Sequence, residues 1–230
     1  MIPGARLIIL GRQGAGKGTQ CVRLSRHFVV PHISTGDMLR AAVREGTELG
    51  LLAKQVMDAG GLVGDEIMIG LVRERLSATD ASTRGYILDG FPRTIEQADA
   101  LDEITAERPI DVVLDLNVPR EIVLERISAR RVCRDCGTNY TATGNDPDPW
   151  ICDVGGGDVM QRADDTPDSV NRRLDLYEEQ TFPLIKHYGD QNRLVVVNER
   201  SIPVERYAGF KEGYDSLVSP KNQLILLRRS

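Results

Sequence analysis

Residues 11–19, which read GRQGAGKGT, form a glycine-rich loop between a short apolar run and a stretch of helical periodicity. Glycines let the backbone curl so that successive N–H groups point at one anion, and Lys17 adds a point charge for terminal phosphates. In the general phosphate-loop pattern a Ser or Thr directly follows the lysine, whereas here Gly18 comes before Thr19. The loop predicts a nucleoside triphosphate site, which by itself fits a kinase, a GTPase or an ATPase motor.

Arginine dominates the basic residues of the chain. Only five of the 29 basic residues are lysine, so 24 are arginine. A planar guanidinium binds phosphate oxygens in pairs, although a GC-rich genome would raise the arginine content equally well. The formal net charge of -5 argues against a general nucleic-acid binder, because such proteins need a basic surface. We therefore expect no nucleic-acid partner.

Three of the four cysteines lie in one segment of the chain. Cys133 and Cys136 are separated by two residues, as in a zinc ribbon, and only Cys152 follows them in that segment. Clustered cysteines in a reducing compartment indicate metal binding rather than a disulfide. A zinc site and a metal-free segment both remain open. Cys21 lies in the first helical stretch, where we expect a small buried hydrophobic residue.

Short apolar runs alternate with helical patterns along most of the chain. Residues 6–10 (RLIIL) are too few for a helix and end at a glycine, which favours a buried parallel strand. Strands that alternate with helices predict an α/β fold whose parallel sheet is covered on both faces. The further predicted strands are residues 86–88, 112–116 and 194–197, and the predicted helices are residues 17–27, 119–129 and 167–188.

Two regions interrupt this alternation. Residues 34–63 contain two consecutive helical patterns, 37–45 and 48–59, which end at the pair Gly60-Gly61. Residues 129–165 contain the clustered cysteines and many glycines and prolines, with little helical pattern. We expect the first region to be a small helical lobe and the second to be a lobe of short strands and turns.

Length and composition indicate one core domain with small insertions. The 230 residues include 41% hydrophobic and 27% charged side chains, which is ordinary for a soluble globular protein. No apolar run approaches the ~20 residues of a membrane span, and the first residues lack the pattern of a signal peptide. We expect a cytoplasmic protein without a membrane partner.

Three further motifs carry a family resemblance. They are residues 34–40 (STGDMLR), residues 89–94 (DGFPRT) followed by Gln97, and residues 161–165 (QRADD). With the glycine-rich loop, they occur in the order and at the spacing of adenylate kinases. The chain resembles this family from about Arg6 to Val197, and it is most similar to the long-lid bacterial type with a zinc-type lid.

The resemblance implies a P-loop NTPase-type core of five parallel strands flanked by helices. This core would comprise residues 1–33, 64–128 and 166–218, with a helical lobe for nucleoside monophosphate at 34–63 and a β-rich lid at 129–165. Residues 219–230 would form a tail of unassigned role. The implied reaction is Mg²⁺-dependent, reversible transfer of the terminal phosphoryl group of ATP to AMP, which gives two ADP and maintains adenine nucleotide levels.

Phosphoryl transfer needs in-line positioning, stabilisation of charge and exclusion of water rather than covalent help. The resemblance therefore assigns the chemistry to one lysine and a set of arginines. We expect Arg126 and Arg130, one helical turn apart, to share one face of the helix that leads into the lid. The implied catalytic residues are Lys17, Arg93, Arg126, Arg130, Arg162 and Arg173.

The two nucleotide sites are also implied by resemblance. Gln97 is the residue expected to select adenine, because its amide can both donate and accept at a base edge. The implied ATP-binding residues are Gly14, Ala15, Gly16, Lys17, Gly18, Thr19, Arg126, Arg130, Asn139, Tyr140 and Ser201. The implied AMP-binding residues are Thr35, Arg40, Gly61, Leu62, Val63, Gly90, Phe91, Pro92, Arg93, Gln97, Arg162 and Arg173.

Metal sites are implied at two places. Asp89, at the end of a predicted strand, would hold Mg²⁺ through water at the edge where parallel sheets bind ligands. In the lid, Cys133, Cys136 and Cys152 would bind zinc, but Gly155 occupies the fourth ligand position of the family pattern. Asp153, Asp158 or water would have to complete the shell. Zinc on three thiolates and a metal-free lid both remain open.

Some residues depart from the family pattern or allow other interpretations. Gln13 replaces a usual proline, which we expect to cost loop stiffness only. Asp164 and Asp165 are expected to be hinge or lid ion-pair residues, and the protein to be monomeric. The alternatives are a GTP:AMP phosphotransferase and a noncatalytic nucleotide-binding protein.

Overall fold

A five-stranded parallel sheet lies at the centre of the protein. The structure is a computed structural model that describes residues 4–162 and 164–198. The order across the sheet is β2-β3-β1-β4-β8, and its neighbouring pairs are all parallel, which confirms the predicted fold class. The strands of the described residues are β1 (Arg6–Leu10), β2 (His32–Ser34), β3 (Tyr86–Asp89), β4 (Val112–Asn117), β5 (Arg130–Cys133), β6 (Asn139–Thr141), β7 (Val159–Met160) and β8 (Leu194–Asn198).

Helices cover both faces of this sheet. Alternate side chains of a strand point to opposite faces, so Ile8 and Leu7 of β1 lie in different hydrophobic clusters. The Ile8 cluster includes side chains of α4, α6 and α9, and the Leu7 cluster includes side chains of α1, α7 and α8. Within residues 4–162 and 164–198 the helices are α1 (Lys17–Phe28), α2 (Thr35–Glu45), α3 (Glu48–Asp58), α4 (Asp65–Ser77), α5 (Thr79–Arg84), α6 (Ile95–Ile104), α7 (Arg120–Ser128), α8 (Pro167–Leu176) and α9 (Pro183–Asp190).

Residues 34–63 contain α2 and α3, close to the predicted positions. Ser34 caps α2 by accepting a hydrogen bond from the Asp37 backbone N–H at 3.2 Å, so the helix begins at Thr35, earlier than predicted. Thr47 caps α3 in the same way. A Cβ on Gly50 would lie 2.0 Å from the Ala42 carbonyl oxygen, so only glycine allows α3 to pass this close to α2.

Residues 129–165 contain a separate antiparallel sheet with strand order β6-β5-β7. This region therefore contains short strands, and its role as a separate lid stays a prediction. Arg130 is the first residue of β5, and α7 ends before it at Ser128. The prediction that Arg126 and Arg130 share one helix face is wrong, because the helix stops between them.

The predicted single helix at 167–188 is also wrong. A π-helical turn, Tyr177–Thr181, separates α8 from α9, and the Phe182 N–H donates to the Tyr177 carbonyl oxygen at 2.8 Å. Pro183 begins α9, because proline has no N–H to donate and fits the first turn of a helix.

Two further points concern membrane-spanning helices and the predicted residues that lie outside the described part of the chain. No helix among residues 4–162 and 164–198 is long and apolar enough to cross a membrane. Ser201, the end of the implied core and the tail at 219–230 lie outside the described residues.

Candidate active site

The glycine-rich loop connects the end of β1 to the start of α1. Gly11, Gly14 and Gly16 have φ values of 137°, 82° and 94°, which disfavour larger residues. A Cβ on Gly14 would lie 2.8 Å from the Val123 carbonyl oxygen, because α7 packs directly against the loop. Gly16 caps α1 without a side chain, so the first-turn N–H groups can serve an anion.

Lys17 folds back over this loop. Its Nζ donates to the carbonyl oxygens of Gly11 and Arg12 at 2.7 and 3.0 Å. Burial lowers the pKa of Lys17, the nearby Asp89 carboxylate opposes this shift, and Arg93 adds to it. The loop therefore holds a cation that is poorly solvated and that a phosphate would stabilise.

Asp89 ends β3 at the carboxyl edge of the sheet. Its Oδ2 lies 3.4 Å from His32 Nε2, and a Cβ on Gly18 would lie 3.8 Å from the same oxygen. Burial would raise the pKa of Asp89, but contact with His32 and the charge of Lys17 outweigh it, so the pKa lies below its usual value. An anionic carboxylate beside the loop fits the oxygen ligands that Mg²⁺ prefers.

The predicted acceptor motif places Arg93 between β3 and α6. Its Nε donates to the Gly90 carbonyl oxygen at 2.8 Å, and its own carbonyl oxygen accepts from Thr181 Oγ1 at 2.9 Å. Burial lowers the pKa of Arg93, and Arg173 and Arg40 lower it further. These guanidinium groups are therefore close enough to repel one another.

Thr35 and Arg40 lie on α2, opposite this motif. Thr35 is buried, and its Oγ1 donates to the Gly90 carbonyl oxygen at 2.9 Å. Arg40 forms an ion pair with Asp37, one turn earlier on the same helix. The start of α2 is thus held against the turn that carries Arg93.

Arg130 and Arg173 are each held by a buried carboxylate. Arg130 Nε donates to Asp165 Oδ2 at 2.8 Å, and Arg173 Nη2 donates to Asp164 Oδ2 at 2.7 Å. Arg173 Nη2 also lies 2.9 Å from the Met57 carbonyl oxygen, at the end of α3. The expected ion-pair role of Asp164 and Asp165 is therefore seen.

Arg162 is mostly buried and lies close to other arginines. Burial lowers its pKa to about 10, and the charges of Arg40 and Arg130 contribute to this shift. Its Nη2 donates to Asn139 Oδ1 at 3.3 Å, which links it to β6. Arg126 is half-buried in the last turn of α7. The site thus brings arginines from α2, from the turn before α6, from the small sheet and from α8 into mutual electrostatic contact.

Gln97 is buried and braces the turn before it. Its Oε1 accepts from the Arg93 backbone N–H and its Nε2 donates to Asp65 Oδ1, both at 2.8 Å. One amide N–H and one oxygen lone pair of Gln97 therefore remain for hydrogen bonds to a base edge. Asp65 was missed from sequence, where its only signal is an acidic residue at a helix start. The other predicted acceptor residues, Gly61, Leu62, Val63, Phe91 and Pro92, lie in the adjoining turns.

From the sequence, Gln13 is expected only to lower the stiffness of the loop, but in the structure its side chain forms two hydrogen bonds. Its Nε2 donates to Asp165 Oδ1 at 3.0 Å, and its Oε1 accepts from Arg173 Nη1 at 3.4 Å. It therefore connects the glycine-rich loop to both carboxylate-paired arginines. No sequence pattern indicates this contact, because the partners lie far along the chain.

The clustered thiols meet at the end of the small sheet. The Sγ atoms of Cys133, Cys136 and Cys152 all lie within 4.8 Å of one another, and those of Cys136 and Cys152 are 3.6 Å apart. A Cβ on Gly155 would lie 2.6 Å from Cys136 Sγ, so a side chain at the fourth ligand position of the family pattern would require Cys136 to shift. The hydroxyl of Tyr140, one of the implied ATP-binding residues, donates to Cys152 Sγ at 3.1 Å.

Cys152 has contacts that favour its thiolate. The backbone N–H groups of Gly155 and Val154 donate to its Sγ at 3.1 and 3.4 Å. Burial would raise its pKa, but the Tyr140 hydroxyl and these N–H groups outweigh burial and lower the pKa to about 6. A thiolate with two neighbouring thiols fits the donor set of a structural zinc site.

Comparison with known proteins identifies the family. The family model described as "Adenylate kinase" matches residues 9–193. An adenylate kinase of Methanosarcina acetivorans is 51% identical over 84% of this chain and 90% of its own length. One of Bacillus subtilis is 47% identical over 90% and 96%, and one of Moorella thermoacetica is 48% identical over 86% and 93%. With the phosphate loop and the converging arginines in place, the chain belongs to the adenylate kinase family.

Proposed function

We propose that this chain is an ATP:AMP phosphotransferase, which reversibly transfers the terminal phosphoryl group of ATP to AMP and gives two ADP. The convergence of guanidinium groups beside the phosphate loop carries this proposal. Beyond the effect of burial, the charges of Arg173 and Arg40 lower the pKa of Arg93, and those of Arg40 and Arg130 lower the pKa of Arg162, so these cations repel one another. A polyphosphate is the anion that offsets such repulsion.

The donor phosphates bind at the loop. Backbone N–H groups of residues 14–19 and the start of α1 surround them, and Lys17 moves from its carbonyl contacts to the terminal phosphates. Asn139 and Tyr140 belong to the same side of the site, in β6. Tyr140 contributes through its ring, because its hydroxyl contacts Cys152.

The acceptor binds between α2 and the turn before α6. Arg40 and Arg93 hold the monophosphate, and Thr35 lies beside them against Gly90. Gln97 reads adenine with the amide proton and lone pair that Arg93 and Asp65 leave unused. Residues 61–63 and 90–92 complete the pocket.

Transfer follows when residues 34–63 and 129–165 close over the nucleotides. Arg126, Arg130, Arg162 and Arg173 then neutralise charge that spreads onto the equatorial oxygens of the transferred group. Carboxylate pairing at Asp164 and Asp165 fixes Arg173 and Arg130 before the substrates arrive. Closure also excludes water, which prevents hydrolysis of ATP.

Asp89 is the residue that would hold Mg²⁺ through water. Its carboxylate is anionic, lies at the sheet edge and approaches Gly18 of the loop. When bound with ATP, Mg²⁺ supplies charge neutralisation at the phosphates. The Asp89 carboxylate also opposes the lowering of the Lys17 pKa by burial.

Zinc on three thiolates is the metal that the small sheet supports best. Cys133, Cys136 and Cys152 converge, and contacts to Cys152 favour the thiolate. Water completes the shell, because Gly155 has no ligand atom. Free thiols and nucleotide substrates are compatible with a reducing cytoplasm.

The zinc proposal is tested on the purified full chain by metal analysis and thermal unfolding. We expect bound zinc, a chelator-induced fall in Tm, and loss of both in Cys152→Ser, while ADP formation continues. A Tm that is insensitive to chelator would contradict a structural metal in this sheet.

A coupled assay of ADP formation tests the reaction. We expect ADP only when ATP, AMP and Mg²⁺ are all present. Faster reaction with GTP than with ATP at fixed AMP would assign the chain to the GTP:AMP phosphotransferases. No ADP under any of these conditions would leave a noncatalytic nucleotide-binding protein.

A further inference from the structure

A second group of metal-ligating side chains lies behind the phosphate loop. Cys21 of α1, His32 of β2 and Asp89 of β3 each offer one ligand atom, and these atoms all lie within 4.8 Å of one another. The three side chains come from three neighbouring elements of the rigid core. Cys21 is fully buried at 0% exposure, and His32 and Asp89 are partly buried.

The imidazole in this group has an unsatisfied nitrogen. His32 Nε2 is inaccessible to solvent and has no hydrogen-bond partner among the described residues. Asp89 Oδ2 is its nearest anionic neighbour, at 3.4 Å. A buried polar nitrogen without a partner costs free energy, and a metal ion would use its lone pair.

We propose that Cys21, His32 and Asp89 form a binding site for a divalent cation of the zinc type, separate from the three thiols of the small sheet. One thiolate, one imidazole and one carboxylate form a three-ligand set that suits Zn²⁺ and leaves its fourth position to water or a phosphate oxygen. Burial and the Asp89 charge raise the pKa of the Cys21 thiol, so the ion must displace its proton, which passes to solvent; the two anionic ligands then neutralise the ion.

The donor set discriminates against Mg²⁺. Mg²⁺ requires oxygen ligands in octahedral geometry and gains little from a thiolate or an imidazole. Zn²⁺ at this cluster would therefore engage the same carboxylate that, under the proposed function, serves Mg-ATP. Under the proposed function, on which this step rests, Zn²⁺ should inhibit phosphoryl transfer, and this inhibition should require Cys21.

The binding site is tested with Co²⁺ on a chain whose other thiol cluster has been removed. In the variant Cys133→Ser, Cys136→Ser, Cys152→Ser we expect one Co²⁺ per chain and a thiolate-to-cobalt charge-transfer band that Zn²⁺ abolishes. Adding Cys21→Ala should eliminate the band. The proposal would be overturned if the triple Cys→Ser variant lacks the band, or if the band remains after Cys21→Ala is added.

A second measurement uses the chain with its small sheet intact, in case the triple variant does not fold. Initial rates are compared between the unaltered chain and Cys21→Ala over a range of Zn²⁺ concentrations, at identical nucleotide levels so that chelation by ATP is the same. Loss of outer-shell partners alone costs about 10–100-fold in metal affinity, so half-inhibition of Cys21→Ala should need at least about 100-fold more Zn²⁺. Equal inhibition of both chains would overturn the proposal.

The two proposals fail in different ways. Absence of ADP formation without any Zn²⁺ would overturn the proposed function and leave the Co²⁺ band to decide the metal site. His32→Gln provides an independent variant, because glutamine cannot replace the imidazole as a zinc ligand in this set. It should weaken Co²⁺ binding while the chain retains its thermal stability.

Discussion

Individual arginines of this site differ in how they are held, and the difference sets what each substitution does. Arg40 is half-buried on α2 beside its ion-pair partner Asp37, whereas Arg44 is exposed one turn later on the same helix. Arg40→Ala removes a phosphate ligand, so kcat/KM for AMP should fall by about 10³-fold or more, as for other phosphate-stabilising arginines. Arg44→Ala is the matched control and should leave kcat/KM unchanged. Equal kinetics in the two variants would remove Arg40 from the acceptor site.

Gln13 joins the phosphate loop to Asp165 and Arg173. Gln13→Ala should lower kcat by about fivefold, because hydrogen bonds of about 1 kcal/mol that align these side chains are lost. The Arg130–Asp165 ion pair shares Asp165 with Gln13 but remains when the amide is removed, so the Tm should fall only slightly. Steady-state kinetics and thermal unfolding check this prediction. An unchanged kcat would mean that the contact has no part in positioning.

At the level of elements, the end of α3 is pressed against α8. A Cβ on Gly60, which has a φ of 73°, would lie 2.7 Å from the Ser169 carbonyl oxygen. Ser169 Oγ donates to the Asp58 carbonyl oxygen at 2.7 Å across the same contact. Gly60→Ala should therefore separate these elements and lower stability by about 1–3 kcal/mol.

The matched control for that change is Gly64→Ala. Gly64 is the N-cap residue of α4, and nothing lies within 4 Å of a Cβ built there. We expect thermal unfolding to show a lower Tm for Gly60→Ala only, accompanied by a higher KM for AMP because residues 61–63 follow directly. Equal Tm values for Gly60→Ala and Gly64→Ala would contradict the close contact between Gly60 and Ser169.

Elements that depend on local pattern were predictable from the sequence. The strand of residues 6–10 was predicted with its observed limits, and the glycines after it indicated the loop. The three-residue β2 is too short for a periodicity, and its pairing with β3 is set by the tertiary fold. The π turn at Tyr177–Thr181 could not be predicted because the helical pattern continues through it.

Contacts between distant residues were not predictable. The side chains of Gln13 and Asp165 meet across a separation of 152 residues, and no periodicity in either segment encodes that meeting. The motifs indicated which residue types gather at the site, and Lys17, Arg93 and Asp89 do lie at the sheet edge. The side chains that contact the site residues, such as Asp65 at Gln97 and His32 at Asp89, depend on packing that only the folded chain specifies.

For the whole molecule, the charge balance of the site opposes the stability of the free protein. Arg162 has its pKa lowered to about 10, by burial first and then by repulsion from Arg40 and Arg130, against an ordinary value of 12.5. A basic group whose pKa is lower in the folded than in the unfolded protein destabilises the folded protein at any pH at which the group is charged in both. The destabilisation of the folded protein by Arg162 is complete below about pH 10 and disappears as the pH rises from about 10 to 12.5.

Arg162→Gln should therefore stabilise the free protein and impair the reaction. Removing the repelled charge should raise the Tm at pH 7 by about 2–4 °C for each 1 kcal/mol gained, while kcat falls by about 10³-fold or more. Nucleotide binding should raise the Tm of the unaltered chain by more than that of the variant, because phosphate relieves repulsion only where the arginine remains. A lower Tm for Arg162→Gln without nucleotide would show instead that Asn139 and the neighbouring carboxylates already compensate this charge.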